Sequence, residues 1–148
     1  MNIHIINRSN HSLPAYETDQ AAGMDLRANL KAPAHLRPFE RVPIPTGLYL
    51  AIPEGYEGQV RPRSGLAYKQ GLTVLNAPGT IDPDYRGEIK VLLINLSQEP
   101  VEVHDGDRIA QLLISATERV EWEPVEQLSE TKRDQGGYGH TDQSTETS

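Results

Sequence analysis

Asp82-Pro83-Asp84-Tyr85-Arg86-Gly87, followed at once by Glu88-Ile89-Lys90-Val91-Leu92-Leu93-Ile94, sets a cluster of turn formers directly before an apolar strand. Pro fixes φ, Gly admits positive φ and Asp bonds to its own backbone, so Asn76 to Ile89 reads as a β-hairpin leading into that strand. Outward from it the pattern repeats. Strand-like pieces stand at Ile3–Ile6, Met24–Arg27, Gly47–Ile52, Gly58–Arg61, Glu88–Leu96, Val101–Val103 and Arg108–Ile114. Turn signals such as Pro53-Glu54-Gly55, Ala77-Pro78-Gly79 and Asp105-Gly106-Asp107 separate them. With eleven prolines and twelve glycines there is little room for long helices, and the pattern predicts an all-β sandwich or barrel. One short helix is expected over Ser64–Gly71, with Ser64 as N-cap and Gly71 as its stop.

A chain of 148 residues fits one domain, which at that size buries roughly 70% of its unfolded surface. Apolar residues make up 36% and aromatics 5%, a modest supply that hints at subunit contacts finishing the core. From Leu128 the composition turns to Ser, Thr, Gly, Gln and charged residues, which cannot support a core. A single β domain over residues 1–127 and a flexible tail or lid over 128–148 follow. The net charge of −7 leaves no basic surface for a nucleic-acid polymer or an anionic membrane. A nucleotide would have to be met by a local group of Arg and Lys. Cysteine is absent, which removes disulfides, thiolate metal sites and thiol nucleophiles. No apolar run approaches the ~18 residues of a membrane span, and no signal-peptide pattern opens the chain, so a cytoplasmic protein is expected.

Five segments combine glycine with charged or hydroxyl residues, a mix that lets backbone approach a ligand while side chains reach it. Ala22-Gly23-Met24-Asp25-Leu26-Arg27-Ala28 places an acid on a strand, either facing solvent or holding metal-bound water. Arg61-Pro62-Arg63-Ser64-Gly65-Leu66-Ala67 brings Arg and Ser to the predicted helix start, an anion site or a plain helix cap. In the hairpin, Asp82 and Asp84 serve as turn formers, or one carboxylate accepts a proton from an attacking water. Asp107-Arg108-Ile109-Ala110-Gln111-Leu112 puts Gln111 on the same side of a strand as Ile109 and Leu113, where a buried amide needs partners. Arg133-Asp134-Gln135-Gly136-Gly137-Tyr138-Gly139-His140-Thr141 has the composition of a linker, but also a ring to stack on a base and donors for phosphate.

In this order and spacing the five segments resemble the five motifs of the trimeric dUTPase family, over nearly the whole chain from about Ile3 to Thr141. The resemblance implies a jelly-roll-like β-sandwich and hydrolysis of dUTP to dUMP and pyrophosphate, lowering dUTP and supplying dUMP for thymidylate synthesis. It implies that Asp82 activates the water attacking the α-phosphorus and that Tyr85 packs under the deoxyribose. Asn76, Gly79 and Ile89 would sit by the polar edge of uracil. Arg63, Ser64 and Gly65 resemble the family's phosphate binders, and Gln111 its α-phosphate contact. Mg²⁺ would be held mostly by the triphosphate, with Asp25 acting through water. In the tail, Arg133 would reach the γ-phosphate, Tyr138 would stack on uracil, and His140 with Thr141 would complete the clamp. A homotrimer with active sites shared between subunits is implied as well.

The tail departs from the family pattern at three positions. Asp134 stands where glycine is common, Tyr138 replaces a phenylalanine, and Asp142 follows Thr141 where glycine is usual. Two rivals use the same fold. A dCTP deaminase needs an acid, typically a glutamate in the strand after the turn, and Val91-Leu92-Leu93-Ile94-Asn95 contains none. A non-catalytic nucleotide sensor would not need the full set of motif residues that is present.

Overall fold

The computed structural model describes residues 1–138. In chain order the elements are β1 (His4–Asn7), β2 (Met24–Arg27), β3 (Ala34–Leu36), β4 (Arg41–Pro45), β5 (Leu48–Ala51), β6 (Tyr56–Arg61), α1 (Ser64–Gln70), β7 (Leu72–Val74), β8 (Gly79–Ile81), β9 (Lys90–Asn95), β10 (Val101–Val103) and β11 (Arg108–Ala116). The chain divides into two units, Met1–Glu118 and Arg119–Ser148. All of these elements belong to the first.

Every ladder is antiparallel. A four-stranded sheet runs β2-β11-β6-β8, a three-stranded one β4-β9-β7, and two pairs, β1-β5 and β10-β3, complete the set. The sheets share one core: Leu26, Val60, Ile81 and Leu112 come from the first, Ile44, Val74, Val91 and Leu93 from the second, Leu50 and Val103 from the pairs. This is a jelly-roll-like β-sandwich, and its sheets do not close into a barrel. Alternation explains the burial. In β5, Leu48 and Leu50 face inward while Tyr49 and Ala51 lie at intermediate depth, as a period of two requires.

Four strands, β3, β4, β7 and β8, fall outside the strand-like pieces expected from the sequence. In β4, Pro43 and Pro45 interrupt Arg41-Val42-Pro43-Ile44-Pro45, but β4 is an edge strand bonded only to β9, where a missing N–H costs little. β3, β7 and β8 are three residues each, as is β10, a length at which a period of two gives little signal.

Two local expectations are corrected. The hairpin expected from Asn76 to Ile89 is not closed by a ladder between β8 and β9: β8 pairs with β6 and β9 with β4 and β7, so the turn residues 82–87 lie on a crossover between two sheets. The cap of α1 is Arg63, in extended geometry and without a side-chain cap bond, so Ser64 is the first helical residue. Gly71 does end the helix, in the left-handed region at φ 64, where a Cβ would also meet Ser97 backbone.

Candidate functional site

Because β8 and β9 belong to different sheets, the chain from Asp82 to Ile89 crosses between them, and a cavity of about 320 Å³ opens along that crossing. Five of the residues singled out in the sequence line it together: Asn76, Gly79, Asp82, Tyr85 and Ile89. Gly79 is buried in β8 opposite Val60, and a Cβ there would stand 3.2 Å from Asn76 Nδ2 and 3.4 Å from Val60 Cβ. The absence of a side chain lets Asn76 lie over the strand. Ile89 contributes an apolar wall, since its N–H donates to Leu48 O at 2.8 Å and its carbonyl accepts from Thr46 Oγ1 at 2.6 Å.

Asp82 and Asp84 part ways in space. The carbonyl of Asp82 accepts from Tyr85 N at 3.1 Å, closing the turn. Its carboxylate is exposed along the cavity and makes no hydrogen bond or ion pair among the described residues, whereas Asp84 does not line the cavity. Tyr85 is fixed at its far end by donating to Glu88 O at 3.0 Å. Glu88 in turn accepts from Gly47 N at 2.9 Å, tying the crossing to the turn before β5.

A second group forms around β11. Register sets Gln111 between Asp25 on β2 and Arg61 on β6, so the strand after Gly23 and the segment entering α1 flank the same amide. Gln111 Nε2 donates to Pro62 O at 3.1 Å, holding the backbone just before Arg63. Gln111 does not share the side of Ile109: a register shift between Arg108 and Ala110 breaks the alternation. Ile109, Ala110 and Leu112 are buried in the core, whereas Gln111 and Leu113 lie beside Gly23.

Asp25 sits between two guanidinium groups. Arg63 Nε donates to Oδ1 at 2.9 Å and Arg108 Nη1 to Oδ2 at 3.2 Å. Arg63 Nη1 also donates to the Arg108 carbonyl at 3.3 Å. Both arginines line a second, open cavity of about 650 Å³ with Arg27, Gln70 and Asp107. Ser64 is exposed, and nothing lies within 4 Å of a Cβ at Gly65, so packing in this chain does not require glycine there. The turn that launches β11 is pinned by Asp105. The backbone N–H of Leu30 and then the His11 ring hold its carboxyl below the usual carboxylate value.

The predicted residues of the first unit therefore fall into two groups, and no residue lines both cavities. In the second unit, Arg133 Nε donates to Gly136 O at 2.8 Å and Asp134 N to Thr131 Oγ1 at 3.0 Å, a turn in which Arg133 bonds to its own loop. Asp134 and Tyr138 have positive φ, 46° and 49°. His140 and Thr141 lie outside the described residues. Among the described residues, no three His, Cys, Asp or Glu side chains gather as a metal-holding group, and no helix is long and apolar enough to cross a membrane. Sequence reasoning gave no role to Gly23, Gly87 or Arg108. Their partners Gln111 and Asp25 are 80 or more positions away in two of the three cases, beyond any local pattern.

A family model described as dUTPase matches residues 9–142. The deoxyuridine 5'-triphosphate nucleotidohydrolase of Finegoldia magna is 53% identical over 141 residues, covering 95% of this chain and 99% of that protein. The protein of the same name from Wolbachia pipientis wMel is 59% identical over 130 residues, covering 86% and 85%. Among solved structures, a dUTPase of Staphylococcus bacteriophage 80alpha with dUpNHpp superposes with a TM-score of 0.84 at 24% identity, covering 95% of this chain and 98% of that one. A dUTPase of phage phi11 of S. aureus, described with a structural Mg(II) ion, gives 0.78 at 23%, covering 88% and 100%. At that identity the last two speak to the fold.

Proposed function

Since the chain belongs to the dUTPase family, we propose that its hydrolysis of dUTP to dUMP and pyrophosphate uses Asp82 to take the proton of the attacking water. The observation that carries this reading is the Asp82 carboxylate, unpaired among the described residues and exposed in the same cavity as Tyr85, Asn76 and Gly79. Water attacks the α-phosphorus, the bond to the α,β-bridging oxygen breaks, and pyrophosphate leaves. Asp82 supplies position and basicity for a step that depends mainly on alignment and charge neutralisation.

Tyr85 lies under the deoxyribose and leaves no room for a 2′-hydroxyl. Asn76 and Gly79 meet the polar edge of uracil while Ile89 walls the pocket, a combination of matching donors and shape that discriminates strongly. Arg63, Ser64 and Gly65 hold phosphate oxygens, and Gln111 reaches the α-phosphate. Arg133, Tyr138, His140 and Thr141 close the site from the tail. Mg²⁺ fits the hard oxygen chemistry of the triphosphate, with Asp25, a part-buried carboxylate with lone pairs to spare, accepting from a water of its shell; when bound, the ion neutralises charge on the phosphates.

The split of the site residues into two groups supports an active site completed by other copies of the chain, in a homotrimer. We place the reaction in the cytoplasm.

Pyrophosphate release from dUTP, dCTP, dTTP and UTP tests the reading. Preference for dUTP is expected, and Asp82→Asn should lower kcat by about 10²–10⁴-fold while nucleotide still binds. Near-normal dUMP production by that variant overturns the role of Asp82, and release from dCTP or UTP at the rate of dUTP overturns the specificity.

A further inference from the structure

We propose that Arg108 is a positioning residue: by neutralising Asp25 it leaves Arg63 free to take a phosphate oxygen. The inference rests on the phosphate role given to Arg63 above and names a residue that role does not include.

Asp25 is the most enclosed member of the cluster, its side chain 17% exposed. A carboxylate so placed needs compensation, because burial without a partner is costly. It receives two cations, one per oxygen: Arg63 Nε on Oδ1 and Arg108 Nη1 on Oδ2. One positive charge would suffice for the carboxylate, so the trio keeps a net charge of about +1 facing open space. Arg108 also fixes Arg63 a second way, its carbonyl accepting from Arg63 Nη1. Arg63 is thus aimed by Nε and Nη1, and its Nη2 has no protein partner among the described residues.

Remove the charge of Arg108 and the balance changes. Arg63 becomes the sole counter-ion of a part-buried carboxylate, the trio falls to neutral, and any phosphate oxygen competes with Asp25 for one guanidinium. Glu17, 3.8 Å from Arg108 Nη1 and largely exposed, is too solvated to offset much of the Arg108 charge.

Steady-state pyrophosphate release from dUTP provides the test. Arg108→Gln is expected to raise KM about tenfold with kcat within about twofold, because ground-state and transition-state binding fall together. Arg108→Lys should recover most of the loss. On an Asp25→Asn background, Arg108→Gln should change KM by less than about twofold, since no carboxylate is left to neutralise. An unchanged KM in Arg108→Gln, or a full tenfold effect on the Asp25→Asn background, overturns the proposal. Should Arg108→Gln not fold, the cycle is run with Arg108→Lys, whose smaller rise in KM must vanish on the Asp25→Asn background; a rise that persists overturns it equally. Wild-type turnover is the control. Its absence removes the phosphate reading of Arg63, whereas intact wild-type turnover with an unaltered variant overturns the positioning role alone.

Discussion

Gly87 lies against the hydroxyl end of Tyr85: a β-carbon on Gly87 would stand 2.9 Å from Tyr85 Cε2 and closer still to Cζ and the hydroxyl. The ring's place along the cavity is therefore set at its hydroxyl end, by the Glu88 carbonyl that accepts its hydroxyl hydrogen and by the missing side chain at 87.

Gly87→Ala should push the ring out of that place. kcat/KM for dUTP is expected to fall about tenfold and the preference for dUTP over UTP to narrow, since the sugar would rest on a displaced surface. Tyr85→Phe keeps the ring and loses only the hydroxyl bond, so its effect should be smaller. Kinetics with both nucleotides decide it: an unchanged dUTP/UTP ratio in Gly87→Ala would show that Tyr85 does not gauge the sugar.

Gly23 offers a parallel case in the second group. A Cβ there would be 2.5 Å from Gln111 Oε1 and 3.1 Å from Leu113 Cδ1. Gly23→Ala should displace the end of the Gln111 side chain and weaken its bond to Pro62 O, destabilising the protein by about 0.5–1.5 kcal/mol, the usual net worth of a hydrogen bond. Adding Gln111→Ala should return part of that loss. Thermal melting of the two single variants and the double variant measures the coupling, and strict additivity would count against the contact.

How much of this was legible in the sequence depends on the reach of each interaction. β5 announces itself because burial repeats every second residue, and β9 because Val91 to Ile94 is an unbroken apolar run. Pro43 and Pro45 conceal β4, because only its place at a sheet edge makes them harmless. The turn residues 82–87 were readable as a turn, but whether β8 and β9 bond to each other is decided by strands elsewhere in the chain. The motif residues near Asp82 converge since they are neighbours in sequence. Asp25, Arg63 and Arg108 converge only through the β2-β11-β6 order, which no local period encodes. Simple alternation puts Gln111 on the side of Ile109 for a related reason: it does not contain the bulge at the head of β11, which inverts the alternation after it.

Acid should expose the role of Asp105. Its folded pKa is lowered, first by the Leu30 N–H and then by His11, so its contribution is present above the unfolded carboxylate value and is lost as pH falls through the folded one. Asp105→Asn is expected to melt at a lower temperature than the wild type near pH 7. The gap should close as the pH falls below about 3.8, the ordinary value for this side chain. Melting curves at steps from pH 7 to pH 3 follow the difference, and a gap independent of pH would mean that the charge of Asp105 carries no stability.

In the second unit, Asp134 occupies a backbone position at φ 46°, a region glycine enters freely and where Asp and Asn are the best tolerated of the rest. Its conformation is thus the one a glycine would adopt, but its charge is not neutral toward a polyanion. Arg133, the proposed γ-phosphate contact, adjoins this carboxylate, and an exposed like charge near phosphate repels by a few tenths to about 1 kcal/mol. Asp134→Asn keeps the tolerance for positive φ and removes the charge. KM for dUTP should then fall about two- to fivefold with kcat unchanged, a gain expected at low ionic strength and screened away in high salt. Asp134→Ala, equally uncharged but strained at this φ, should gain less. If the two variants behave alike, backbone conformation at 134 has no part in the effect; if neither lowers KM, Asp134 does not oppose phosphate binding at all.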